Sequence, residues 1–220
     1  MLAQQALINR EIDVYPEYSG TALAMVLKAP AATDLKAEYA RRFHLAWLDP
    51  LGIDNTFVMV VRGAEARAKG LKTLSDAAKT PWTLGVGYEF ERRADGLAAL
   101  KSAYGFQVNG SPKTMDLGLL YKAIEQGQVD MIAANATDGV LAKMDLKVLE
   151  DDRHAFPSYE VSIVAREPLL DERPEVRAAL NELAGKFTNA KMQELNYQVD
   201  GEHRGVGAVA EAFLRDAGLK

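Results

Sequence analysis

The chain reads as an α/β protein, and three observations predict it. Two apolar, β-rich runs stand far apart, at 55–62 and 159–166. Between them, strands alternate with helices through 82–149, which argues for a parallel sheet. After Pro174 the pattern is helical to the end. With 48% hydrophobic and 26% charged residues, the composition is that of an ordinary globular protein, and 220 residues suit one large domain or two small lobes.

The opening stretch Glu11-Ile12-Asp13-Val14-Tyr15-Pro16-Glu17-Tyr18-Ser19-Gly20-Thr21 crowds tyrosines and acids around a proline. Proline fixes its own φ and pushes Tyr15 into an extended conformation. Gly20 frees the backbone, and 21–28 reads as a helix. At such a junction side chains and free N–H groups can face a ligand. Taken by themselves, these residues also fit a solvated loop with structural tyrosines.

The spacing of Leu35, Tyr39, Phe43 and Ala46 predicts a helix over 33–45, capped by Thr33 or Asp34. Trp47-Leu-Asp-Pro50-Leu-Gly52 reads as a break. The run 55–62 is a buried strand. Short helices end near Gly70 and start at Thr73 or Ser75. A strand at 82–87 leads into a helix closing at Gly105, and 106–108 reads as a short strand. Gly127 ends the helix 117–126. Strands are predicted at 129–134 and 146–149. Pro174 opens a helix that Gly185 closes, and Thr188 caps the next. A last amphipathic helix carries Val206, Val209, Ala210, Phe213 and Leu214.

Several function classes are excluded. The net charge of −5 argues against nucleic acid, whose phosphates need clustered Lys and Arg. No apolar run reaches membrane-span length, and the first residues lack the basic and apolar regions of a signal peptide. Cysteine is absent, which removes disulfides and thiolate metal sites. His44, His154 and His203 lack ligand spacing. No nucleophile elbow, phosphate loop or zinc-protease motif occurs. No catalytic residue, metal site or cofactor is expected.

The string Asp13-x-Tyr15-Pro16-Glu17-Tyr18-Ser19-Gly20-Thr21 resembles the signature of substrate-binding proteins of ABC importers for glycine betaine, choline and related quaternary amines. Four weaker matches follow in the family's order. They are Asn55-Thr56-Phe57, Glu89-Phe90-x-x-Arg93-x-Asp95-Gly96, Thr137-Asp138-Gly139, and Asp151-Asp152 with Phe156-Pro157-x-Tyr159. The resemblance implies a two-lobed fold of the type II periplasmic-binding-protein kind, with a ligand cleft between lobes. One lobe would take residues 1–60 and 160–220, the other 61–159. It implies a ligand site of Tyr18, Thr21, Phe57, Glu89, Arg93, Asn135, Thr137 and Tyr159. Tyr18 and Tyr159 become cage walls, and Phe57 stands where a tyrosine is common. Arg93 would meet a carboxylate or brace the site beside Glu89, one helical turn away. Asn135 stands where betaine-binding members often have another cage tyrosine.

Without the resemblance, Phe57 is equally a core aromatic, and Glu89 with Arg93 an exposed ion pair. The resemblance also implies an ABC permease as partner and a periplasmic or extracellular, membrane-associated location. Family members usually carry a further β-α-β segment before the first helix of this chain. Its lack predicts self-association into a homodimer through the shortened lobe. Two rival classes share the two-lobe plan: the effector domain of a transcription regulator, and an enzyme.

Overall fold

A computed structural model describes residues 2–219. The described residues form eight strands: β1 (Val14–Tyr18), β2 (Leu45–Asp54), β3 (Phe57–Arg62), β4 (Leu84–Val86), β5 (Lys113–Thr114), β6 (Met131–Asn135), β7 (Leu146–Leu149) and β8 (Glu160–Arg166). They fall into two sheets in two compact units. Unit 1 is Met1–Asn55 with Ser158–Lys220, and unit 2 is Thr56–Pro157. The divisions thus lie at 55/56 and 157/158, where the sequence suggested 60/61 and 159/160. The difference has a cause in pairing. β3 hydrogen-bonds to β6 and β7 along its whole length, so it belongs to unit 2. The Tyr159 carbonyl accepts from Asn55 at 3.1 Å, within unit 1.

In unit 1 the sheet order is β1-β8-β2, all antiparallel. β8 is central, and its residues 161–165 are buried. One face packs Val164 with Leu7, Tyr15, Tyr39, Leu45 and Trp47. The other packs Val161, Ile163 and Ala165 with Leu48, Leu51, Ile53 and Leu170. A strand covered on both faces reads as a continuous apolar run, which is the pattern the sequence carries there.

Two local readings need correction. The segment 47–52 lies beyond the end of the helix it was expected to break, but it is strand and not a turn: β2 passes through it. Pro50 has no N–H to give a ladder, but β2 is an edge strand, and its register shifts on either side of Pro50. The expected helix 21–28 is a short α turn, Ser19–Thr21, followed by a wider π turn, Ala22–Leu27, closed by Lys28 at φ 50°. The next helix is Leu35–Phe43, with the Asp34 carboxylate accepting from the Ala37 N–H at 3.1 Å.

In unit 2 the order is β5-β4-β6-β3-β7. β4 runs parallel to β5 and β6, whereas β3 is antiparallel to β6 and β7. The sheet is therefore mixed, not parallel. Strand and helix alternate through 82–149 as expected, but β3 enters from outside that repeat and runs the other way. The short strand expected at 106–108 is a single bridge, Trp82 to Val108, and the paired strand is β5. Trp82, Leu84, Val86, Phe90, Leu100 and Met131 fill one face of the sheet. Leu120, Ile124, Val129 and Ile132 fill the other. Among the described residues no helix is long and apolar enough to cross a membrane.

Two predictions follow from these contacts. A Cβ on Gly52 would lie 2.3 Å from the Phe187 carbonyl, at φ +99°, whereas one on Gly70, at φ +64°, meets nothing within 4 Å. Gly52→Ala is expected to cost about 2–4 kcal/mol in urea denaturation, and Gly70→Ala only about 1 kcal/mol.

Acid should weaken unit 2. Lys79 first, then the N–H groups of Thr73 and Lys72, hold the half-buried Asp76 carboxyl down to about 2. Arg67 likewise lowers Asp145. A depressed carboxyl contributes stability above its ordinary value, and that stability goes as pH falls through the folded value. Circular dichroism should show wild-type protein losing resistance to urea between the ordinary carboxylate range and about pH 2. Asp76→Asn should flatten that decline.

Candidate functional site

The opening motif folds as the end of β1 and the turn beyond it. Tyr15 and Glu17 point inward, while Tyr18, at the strand's end, is 36% exposed. The buried Glu17 carboxylate accepts from the Tyr15 hydroxyl at 2.8 Å and from the Tyr18 N–H at 2.8 Å. Burial, then this carboxylate, raises the Tyr15 hydroxyl far above the ordinary tyrosine range. Tyr18 pairs with Val161 across the ladder, so it stands beside the start of β8, where Tyr159 enters. The Tyr159 ring lies over Gly20, where an added Cβ would sit 2.7 Å from two ring atoms. Ser19 donates to the Ser158 carbonyl at 3.3 Å. Unit 1 therefore brings Tyr18 and Tyr159 to one end of its sheet, with the half-buried Thr21 one turn beyond Tyr18.

Unit 2 brings three of the other predicted residues, Phe57, Glu89 and Asn135, to the wall of a cavity of about 270 Å³. Phe57 on β3 and Asn135 on β6 are ladder partners and line it together. Glu89 joins them from helix Tyr88–Arg92, with Tyr88, Phe90, Met115, Asp116 and Leu117 completing the wall. Phe57 is a core aromatic and also stands at a cavity wall. It lines this cavity, and its ring meets Phe90 at 5.1 Å and Phe156 at 6.2 Å, edge to face.

Arg93 corrects one expectation. The i,i+4 spacing suggested Glu89 as its side-chain partner, but the helix stops at Arg92, and Arg93 is extended at ψ 144°. Its guanidinium forks onto Asp95 at 2.9 and 2.8 Å and stands 5.7 Å over the Phe57 ring. Neither Arg93 nor the buried Thr137 lines the cavity. A larger groove in unit 1, about 450 Å³ along helices Asn189–Asp200 and Val206–Asp216, holds none of the predicted residues.

Three carboxylates, two inside the sequence motifs and one just before Asn55, hold the candidate site's aromatic and amide groups. Asp138 accepts from the Asn135 N–H at 3.1 Å and from the Tyr121 hydroxyl at 2.8 Å. Asp151 accepts from the Tyr104 hydroxyl at 2.5 Å and from the Ala155 and Phe156 N–H groups, so it fixes the third ring of the Phe57 cluster. Asp54 accepts from the Tyr159 N–H at 2.7 Å. Short acids next to a turn offered the sequence signal for the first two. Among the described residues no group of His, Asp or Glu could hold a metal ion.

These features were compared with known proteins. The profile of the OpuAC family, the substrate binding domain of ABC-type glycine betaine transport systems, matches residues 1–216. The carnitine transport binding protein OpuCC of Listeria monocytogenes is 34% identical over 98% of this chain and 73% of its own. The ergothioneine transport permease/ergothioneine binding protein EgtU of Helicobacter pylori is also 34% identical, over 97% of this chain and 40% of its own. A solved structure described as a glycine betaine/carnitine/choline ABC transporter superposes with a TM-score of 0.91. It is 34% identical and covers 99% of this chain and 84% of that one.

Asp151→Ala leaves three donors without their acceptor. Urea denaturation should show a loss of about 2–3 kcal/mol, with Asp151→Asn losing less.

Proposed function

The chain belongs to the family of substrate-binding domains of ABC-type glycine betaine transport systems, and from that premise we propose that it captures a quaternary amine such as glycine betaine or choline and delivers it to its permease. It is a transport binding protein of type II periplasmic-binding-protein fold and not an enzyme. The relatives lend no support to an effector-domain or enzymatic role, nor to the self-association expected from the sequence. The family is periplasmic or extracellular; attachment at the membrane beside the permease is part of this proposal.

The observation that carries the ligand reading is that Tyr18 and Tyr159 stand at the same end of unit 1's sheet. A trimethylammonium group donates no strong hydrogen bond. Aromatic faces hold it best, at about 0.5–2 kcal/mol each when desolvated. In this reading Tyr18, Thr21 and Tyr159 of unit 1 are ligand-binding residues. So are Phe57, Glu89, Asn135 and Thr137 of unit 2, where Arg93, held by Asp95, stands over the Phe57 ring. The carboxylates of Glu89 and Asp116 at the cavity wall suit a cationic ligand. The commitment of the Arg93 fork to Asp95 weakens the case for Arg93 as the holder of a ligand carboxylate. Asn135 in place of a ring makes the pocket more polar than a full aromatic cage.

A thermal-shift screen with glycine betaine, choline, carnitine, proline betaine and ectoine tests the class, and at least one quaternary amine should raise the midpoint. By calorimetry, Tyr159→Ala should weaken that ligand by about 0.5–2 kcal/mol, while Tyr159→Phe stays close to wild type, because the π-face carries the attraction. Asn135→Tyr should tighten glycine betaine. Equal losses for Ala and Phe at 159 would transfer the contact to the hydroxyl.

A further inference from the structure

We propose that Asp54 is a positioning residue for ligand binding: its backbone is fixed by Asn189, and its carboxylate holds the Tyr159 segment so that the aromatic ring stays seated on Gly20. The proposal rests on the reading of Tyr159 as a ligand-binding residue.

Asp54 closes β2, opposite Glu160, one residue before the first segment of unit 1 ends. One carboxylate oxygen accepts from the Tyr159 N–H at 2.7 Å, and the other accepts from the Ser158 hydroxyl at 2.8 Å. The next residue completes the grip, with the Asn55 N–H donating to the Tyr159 carbonyl at 3.1 Å. Both backbone groups of Tyr159 are thus held by two consecutive residues.

Asp54 is itself immobilised. Its N–H donates to the Asn189 side-chain oxygen at 2.9 Å, and its carbonyl accepts from the Asn189 amide at 2.8 Å. β2 is an edge strand, so these two groups have no further strand to pair with. The Asn189 amide takes that place, supplying one acceptor and one donor as a neighbouring strand would. Asn189 is the first residue of helix Asn189–Asp200, whose start is capped by Thr188 accepting from the Lys191 N–H at 3.1 Å.

The opposite side of the ring has no slack. A Cβ on Gly20 would come within 2.7 Å of the Tyr159 ring and 3.0 Å of the Ser158 carbonyl. The ring is therefore set by a carboxylate behind its backbone and by a residue without a side chain under its face. A cation–π contact depends on the ring's distance and orientation. Releasing either constraint should show in affinity.

Calorimetry with glycine betaine, choline and carnitine, the tightest of the three serving as probe, tests this in a double-mutant cycle. Asp54→Ala should raise Kd about tenfold, and Gly20→Ala should raise it similarly from the other side. Asp54→Asn should stay within about threefold, because its oxygen still accepts from Tyr159 and the Ser158 hydroxyl can rotate to accept from the new amide. In a Tyr159→Ala background, Asp54→Ala should change Kd less than about twofold, since the ring it positions is gone. Should Asp54→Ala not fold, Asn189→Ala carries the same cycle with the same expectation.

Additive losses at 54 and 159 overturn the positioning role and leave Tyr159 as a ligand contact. So does an Asp54→Asn variant as weak as Asp54→Ala. Tyr159→Ala with unchanged Kd, or wild-type protein that binds none of the three amines, overturns the ligand reading and this proposal together.

Discussion

Unit 1 depends on β8 being paired on both edges and buried on both faces. Val161 to Ala165 leave no face for solvent, so the strand's register is strongly specified. That register carries Tyr18 to a position opposite Val161 and sets Tyr159 just before the ladder begins. The turn at Gly20 is then forced up against the Tyr159 ring. Proline positions confirm the strand order. Pro16 and Pro50 both lie in edge strands, where a missing N–H costs no interior ladder bond.

A second device recurs in both units. A short carboxylate accepts from backbone N–H groups and so fixes the residue beside it. Asp54 does this for Tyr159, Asp138 for Asn135, and Asp151 for Phe156. Glu17 does it for Tyr18. Each holds an aromatic or amide side chain of the candidate site or its supporting ring cluster. Such acids act on backbone geometry, not as ion-pair partners, which explains why they stand at strand ends and turns. Tyr15, Tyr104 and Tyr121 supply hydroxyl donors to the same carboxylates, and burial in each case raises the phenol above its ordinary range.

The cavity of unit 2 shows how one aromatic can be core and candidate site at once. Phe57 turns its edges to Phe90 and Phe156 and still reaches the cavity wall. Gly96 allows this packing, since a Cβ there would lie 2.1 Å from the Phe90 carbonyl. The E-F-x-x-R-x-D-G stretch is thus a structural unit: Phe90 fills, Arg93 and Asp95 pair, and Gly96 permits the close approach.

By itself the sequence determined the α/β class, most strands and the family, and it named the residues of a candidate site. It could do so because apolar runs and turn residues act locally, and because the motifs lie in order along one chain. Strand direction was left to the tertiary structure. Nothing in the local period of 57–62 says that β3 runs against its neighbours, so the parallel sheet expected from 82–149 became mixed. The strand through Pro50 was hidden for a related reason, since edge position is a property of the whole sheet. The partner of Arg93 was decided by where a helix stops. Spacing pointed to Glu89 only while the helix continued; with Arg93 extended, its side chain turns to Asp95. Asp54 and Asn189, 135 positions apart, could be joined only by folding.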